Sequence, residues 1–192
     1  MRMRLAAPLV LLVTLGVAWP GASAAQDPEC APMADRMPLE DRTSPYDSVE
    51  VAVGEGMAKV CYGRPALRGR TMIGGETIPY GELWRTGANE PTTLHVNVPA
   101  RVAGIEVGPG SYSVYTIPEE GDSWTLILNR SITQWGHEGA YTEEVAAQEI
   151  GRASVRAERL DEAVERLTIR PMGGGLVLEW QNTRVRIPIT PA

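Results

Sequence analysis

Six residues between positions 62 and 93 could together hold a polar ligand: Tyr62, Arg64, Trp84, Arg85, Asn89 and Glu90. An arginine presents a rigid fork of donors that matches a carboxylate or phosphate. Asparagine adds a donor and an acceptor, and the aromatic rings offer stacking faces. The stretch that holds them is rich in Gly, Pro and Arg, and also contains Arg68, Arg70 and Tyr80. Connections this long inside a compact domain are either functional or disordered, and the aromatic content here argues against disorder. The expectation is one polar cluster of Arg64, Arg85, Asn89 and Glu90 beside Trp84. A plainer reading stands next to it: Arg85 and Glu90 pair with each other, Arg and Asn satisfy loop carbonyls, and Trp84 belongs to the core.

Other chemistries have thinner support. Glu90 could serve a hydrolase together with Arg85 and Asn89, but two-carboxylate hydrolysis needs a second acid nearby, and spacing does not bring Glu76 or Glu82 to it. Ser111 lacks the spacing of a nucleophile elbow and reads as a turn entering a strand. The only imidazoles are His95, which reads as a solvated side chain on the polar face of a strand, and His137. His137 and Glu138 are adjacent, and no H-x-H, H-E-x-x-H or C-x-x-C occurs, so no metal site is expected. A His137–Glu90 pairing across loops has nothing in the spacing to demand it. Trp135 and Tyr141 could line a pocket near His137, or Trp135 could plug the mouth of a sandwich. Gly54-x-Gly56 is followed by no helix and is not a nucleotide loop. No cofactor is implied.

The elements that must position these groups are short strands. Residues 26–47 have no sustained period and read as an N-terminal arm. Val49, Val51 and Val53 alternate with polar positions, Gly54-Glu55-Gly56 turns, and Met57 to Tyr62 returns as a hairpin. Strands follow at Leu94 to Val98, Arg101 to Val107, Tyr112 to Ile117 and Trp124 to Asn129, the last apolar enough to be buried on both faces. Thr142 to Ile150 reads as a short helix, capped by Thr142 with Glu143 and Glu144 in its first turn. Arg152 to Ala157, Val164 to Ile169, Leu176 to Trp180 and Thr183 to Ile189 complete the set. About nine or ten short strands with frequent turns and one or two short helices predict an all-β antiparallel β-sandwich or flattened barrel, a single domain over 48–190.

The first 25 residues read as an address. Arg2 and Arg4 precede an apolar run from Leu5 to Val17, too short to span a bilayer comfortably, and Ala22-Ser23-Ala24-Ala25 follows. A cleavable secretory signal cut after Ala24 or Ala25 is expected, in preference to an uncleaved anchor. Cys30 sits in no lipobox. The product would be periplasmic or extracellular, with no membrane span after cleavage. The chain carries a net charge of −6, and loss of two arginines makes the remainder more acidic still. Such a domain is a poor partner for nucleic acid or anionic lipid, whose binding rests on positive charge. Lys59 is the only lysine among the basic residues, which carries no function. Cys30 and Cys61 are the only cysteines, an even count that favours a disulfide in an oxidising compartment over a buried free Cys61 and a loose Cys30.

Residues 62–93, YGRPALRGRTMIGGETIPYGELWRTGANEPTT, resemble the bacterial family catalogued as domain of unknown function 2911. GSYSVYTIP at 110–118, WTLILN at 124–129, Trp135-Gly136 and LVLEWQNTRVRIPI at 176–189 fit the same family. The resemblance runs over roughly 49–190 and implies an exported bacterial domain with no assigned activity, so it supplies no catalytic residues. Cys61, in place of an ordinary strand residue, and a longer segment from His137 to Ile150 depart from the family pattern. The resulting expectation is a non-catalytic envelope module that binds a small polar ligand, a glycan or an envelope protein through the 62–93 loop. An envelope hydrolase or a purely structural domain is the alternative. A site requires Arg64, Arg85, Asn89 and Glu90 to line one open concavity, and a scaffold requires them buried and mutually satisfied.

Overall fold

Alternating apolar residues build a nine-stranded antiparallel sheet in the computed structural model, which describes residues 27–136 and 138–192. The expected signal segment, Gln26 and His137 lie outside the described residues. The strands are β1 (Tyr46–Val53), β2 (Gly56–Gly63), β3 (Thr92–Val96), β4 (Ala100–Val102), β5 (Ile105–Val107), β6 (Gly110–Ile117), β7 (Ser123–Asn129), β8 (Glu149–Met172) and β9 (Gly175–Pro191). Their order across the sheet is β1-β2-β3-β6-β7-β8-β9-β4-β5. This is the expected all-β class.

Two long strands fold the sheet over on itself as a sandwich, and the sheet stays open, with β1 and β5 at its edges. β8 has 24 residues and β9 has 17. The first part of β8 pairs with β7, from Glu149 to Arg156, and the rest pairs with β9, from Ala157 to Met172. The far end of β9 then pairs with β4. The inward faces meet in one core that includes Val60, Leu94, Leu126, Leu128, Leu167, Leu178, Trp180 and Val185.

Four boundaries differ from the sequence expectations, each for a physical reason. Arg152 to Ala157 and Val164 to Ile169 are one strand, interrupted only by register shifts between Arg159 and Thr168. Leu176 to Trp180 and Thr183 to Ile189 are also one strand. Its positions in the core cluster switch from even to odd numbers (Leu176, Leu178, Trp180, then Val185, Ile187, Ile189), and the switch falls at Gln181, whose φ is 53°. That is the behaviour of a bulge, which re-aims side chains without ending the strand. Arg101 to Val107 splits into β4 and β5 around Ala103 (φ 49°) and Gly104 (φ 88°), a pair of positive φ values suited to a tight hairpin turn. The expected helix shrinks to α1 (Glu143–Ala146), with the Thr142 hydroxyl accepting from the Val145 amide at 3.4 Å. Pairing of Glu149 with Asn129 on β7 starts β8 there and overrides further helix.

The 63–91 connection is a packed cover and not a free loop. Ala66 bridges to Arg166, Ile73 to Ile78, and Trp84 to Thr116. The Trp84 and Thr116 amides each donate to the other's carbonyl, at 2.7 and 2.8 Å. Close approach is built in at Gly63, where a Cβ would lie 2.2 Å from the Ala88 carbonyl oxygen. The bulge residue Gln181 clasps the same cover: its Oε1 accepts from the amides of Met72 and Ile73, and its Nε2 donates to the Ile73 carbonyl.

Candidate functional site

The six candidate residues divide among three places. Trp84 is 3% exposed. Its ring stacks on Trp180 at 5.7 Å between centroids and meets Trp124 edge-on at 6.4 Å. Tyr62, at the end of β2, is buried against β8, where its hydroxyl accepts from the Ile169 amide at 2.8 Å and donates to the Ile169 carbonyl at 3.4 Å. Arg64 lies beside it, its fork spread over the Leu167 carbonyl, the Asp47 carboxylate and the Thr168 hydroxyl at 2.9–3.0 Å. Arg64 and Trp84 fasten the cover to β1, β8 and β9, and Tyr62 ties the end of β2 to β8.

Glu90 and Asn89 face the N-terminal arm. Glu90 is 3% exposed and pairs with Arg42, not with Arg85. Nη1 of Arg42 lies 3.0 Å from both carboxylate oxygens, and the Met33 amide donates to Oε1 at 3.1 Å. The guanidinium sits 5.5 Å from the ring centroids of both Tyr46 and Trp135, and Nε donates to the Met37 carbonyl. Burial and the Glu90 charge push the Tyr46 phenol up to about 12. Asn89 donates to the Ser44 carbonyl at 3.5 Å, and its own carbonyl accepts from the Gly136 amide. The arm is tied at its start by the Cys30–Cys61 disulfide, with the two Cα atoms 5.8 Å apart. Neither Arg42 nor Trp135 carried a sequence signal for this role, because the contacts join segments 48 residues and more apart in the chain.

Arg85 goes to a third place. Its Nη1 donates to Glu138 Oε1 at 3.0 Å, and its backbone amide reaches the same oxygen at 3.4 Å. Its Nε is buried with no hydrogen-bond partner among the described residues. Arg85 and Glu138 stand at the edge of a cavity of about 210 Å³, whose apolar wall includes Met72, Ile78, Trp84 and Trp180. The expected single cluster of Arg64, Arg85, Asn89 and Glu90 is therefore not formed. Of the candidates, only Trp84 and Arg85 share this cavity. Glu138, the partner, was visible in the sequence only as a neighbour of His137.

The remaining titratable groups are engaged in structure. His95 is 6% exposed and not solvated. Its Nδ1 lies 2.7 Å from the Ser111 hydroxyl and its Nε2 lies 3.0 Å from that of Thr93. Burial, with the Lys59 charge beside it, lowers its pKa below the usual imidazole value. The alternation that put His95 on the outer face was correct, but its cross-strand neighbours close over it. Glu179 would be pushed up by burial, yet the guanidiniums of Arg170 and Arg184 hold it below the ordinary carboxylate value. Among the described residues no three His, Cys, Asp or Glu side chains gather as a metal site.

The model of the family described as protein of unknown function (DUF2911) matches residues 44–189. No curated protein and no solved structure matches the chain. The match takes in every strand from β1 to β9 almost end to end, together with the cover and its Trp84–Arg85 cavity. The chain belongs to this family of unknown function.

Proposed function

We propose that the protein is an exported β-domain that binds a small amphipathic anion, a carboxylate on an apolar or aromatic body, in the cavity above Trp84. The observation that carries this reading is the pairing of an apolar indole wall with Arg85, whose Nε has no partner among the described residues. A buried donor without a partner costs free energy unless something fills the position. A ligand carboxylate would use Nε and compete with Glu138 for the fork, while its body packs on the apolar wall beside Trp84. Glu90, the acid a hydrolase would use, is occupied by Arg42 and Met33, and the reading is accordingly one of binding. Export is supported by the Cys30–Cys61 bridge, since such bonds persist in oxidising compartments. N-terminal sequencing of the released protein, starting at Ala25 or Gln26, checks that part.

The binding experiment is calorimetry of the purified domain with aliphatic and aromatic monocarboxylates and their matched primary amides. The acids should bind and the amides should not. Arg85→Gln should weaken the acids at least tenfold while changing stability by about 1 kcal/mol or less, because the Arg85–Glu138 pair is partly solvated. Equal binding of acid and amide, or unchanged binding by Arg85→Gln, would refute the reading.

A further inference from the structure

A second cleft, beside Tyr80 of the cover, shares no lining residue with the Arg85 cavity. Its volume is about 340 Å³, and Tyr80, Glu119, Glu120, Arg159, Asn182 and Thr183 are among the residues that line it. That volume falls within the usual range of small-molecule sites, about 300–1,000 Å³.

Tyr80 is unusual in this molecule. It is 43% exposed, and with Leu39 it makes up the exposed large hydrophobics among the described residues. Its ring is nevertheless held in place. Gly74, at φ +74°, lies so close to one edge of the ring that a Cβ there would be 2.4 Å from Cε2. The Gly74 amide donates to the Ile78 carbonyl, and the Gly81 amide donates to that of Pro118, both at 2.8 Å. The short segment bearing Tyr80 is thus pinned on both sides. A ring backed by glycine and open toward a cleft is a preformed stacking platform.

The polar groups around it are available. Glu119, Glu120, Arg159 and Thr183 make no side-chain hydrogen bond or ion pair among the described residues. Glu158, by contrast, is held by Arg156 and Arg186. Asn182 donates from its Nδ2 to the Leu160 carbonyl, which leaves the amide oxygen to accept. The cleft therefore offers carboxylate acceptors, guanidinium donors, a hydroxyl and an amide oxygen around one aromatic face. A simple anion would meet Glu119 and Glu120, and a simple cation would meet Arg159. A ligand with an apolar face and a rim of hydroxyls, each able to donate and accept, satisfies all of them.

We infer that this cleft binds a neutral saccharide, with one pyranose face stacked on Tyr80 and its hydroxyls bonded to Glu119, Glu120, Arg159 and Asn182. The inference does not rest on the Arg85 cavity, and either can stand if the other falls.

The test is titration of the disulfide-bonded domain, followed by calorimetry and by saturation-transfer NMR, with neutral α- and β-linked gluco-oligosaccharides and N-acetylated ones. Spermidine and benzoate serve as charged controls. At least one saccharide series should bind, with ring protons of the sugar saturated from the protein. Tyr80→Ala should weaken it at least tenfold, and Tyr80→Phe, which keeps the ring, should stay within threefold. Gly74→Ala should also weaken it, by displacing the ring without removing a polar group. The Tyr80 pair keeps the test decisive if the glycine variant folds poorly. Absence of binding by every saccharide, preference for spermidine or benzoate in this cleft, or equal affinity of Tyr80→Ala and the native protein would each overturn the inference.

Discussion

Glu90 shares one guanidinium nitrogen of Arg42 between its two oxygens, and the side chains of both residues are almost completely removed from water. Removing one member of a buried pair strands the other, which costs about 3–5 kcal/mol. Glu90→Gln is therefore expected to lower Tm by about 10 °C, at a few degrees per kcal/mol for a domain of this size. Scanning calorimetry measures it, and a fall of under about 2 °C would show that the pair is compensated by its surroundings. Glu90→Leu combined with Arg42→Met should cost less than the two single changes added, because no charge is then left alone. The importance of Glu90 was legible from the density of polar residues around it. Its partner was not, since an ion pair between the arm and a loop leaves no periodic trace, and Arg85 stood closer in sequence. The same applies to Arg85, whose partner Glu138 lies 53 residues away.

The arm is an element without regular structure apart from a short helical turn at Leu39–Asp41. Contacts of three kinds hold it: the disulfide at Cys61 on β2, the Arg42–Glu90 pair, and the Ser44 carbonyl that receives Asn89. In the chain-entropy account, a bridge closing a 31-residue separation contributes about 3–4 kcal/mol. Replacing Cys30 by Ser and Cys61 by Ala should lower the urea unfolding free energy by that amount, with the m-value showing whether the arm has also detached. An unchanged midpoint would mean that the ion pair and the Asn89–Ser44 hydrogen bond suffice to hold the arm. The hairpin β1–β2 and strands β3, β6 and β7 were readable from period-two alternation. The continuity of β8 and β9 was harder to read, because each bulge looks like a strand end. The parity switch between Trp180 and Val185 was present in the sequence, and it marks a bulge wherever the apolar series resumes after an odd step.

At the scale of the whole molecule, the fold class follows from pattern alone, and the folding of the sheet into two layers does not. That folding depends on β8 being long enough to pair with β7 at one end and with β9 at the other. This shared strand makes the two layers a single mechanical body. Most open sheets can shed an edge without disturbing the centre, and their amides exchange with solvent in a graded series. Here, both layers hang on one continuous strand, paired with β7 along its first part and with β9 along the rest. Native-state hydrogen exchange should therefore find the β8 amides facing β7, around Ala153 and Val155, and those facing β9, around Ile169, exchanging with one common free energy and one common urea dependence. Two separate opening energies would show that the register shifts between Arg159 and Thr168 act as a hinge. If the energies coincide, the cover bearing Trp84 and Tyr80 is anchored to a base that opens only when the entire protein does, and ligands at either cleft would raise the protection of amides far from their point of contact.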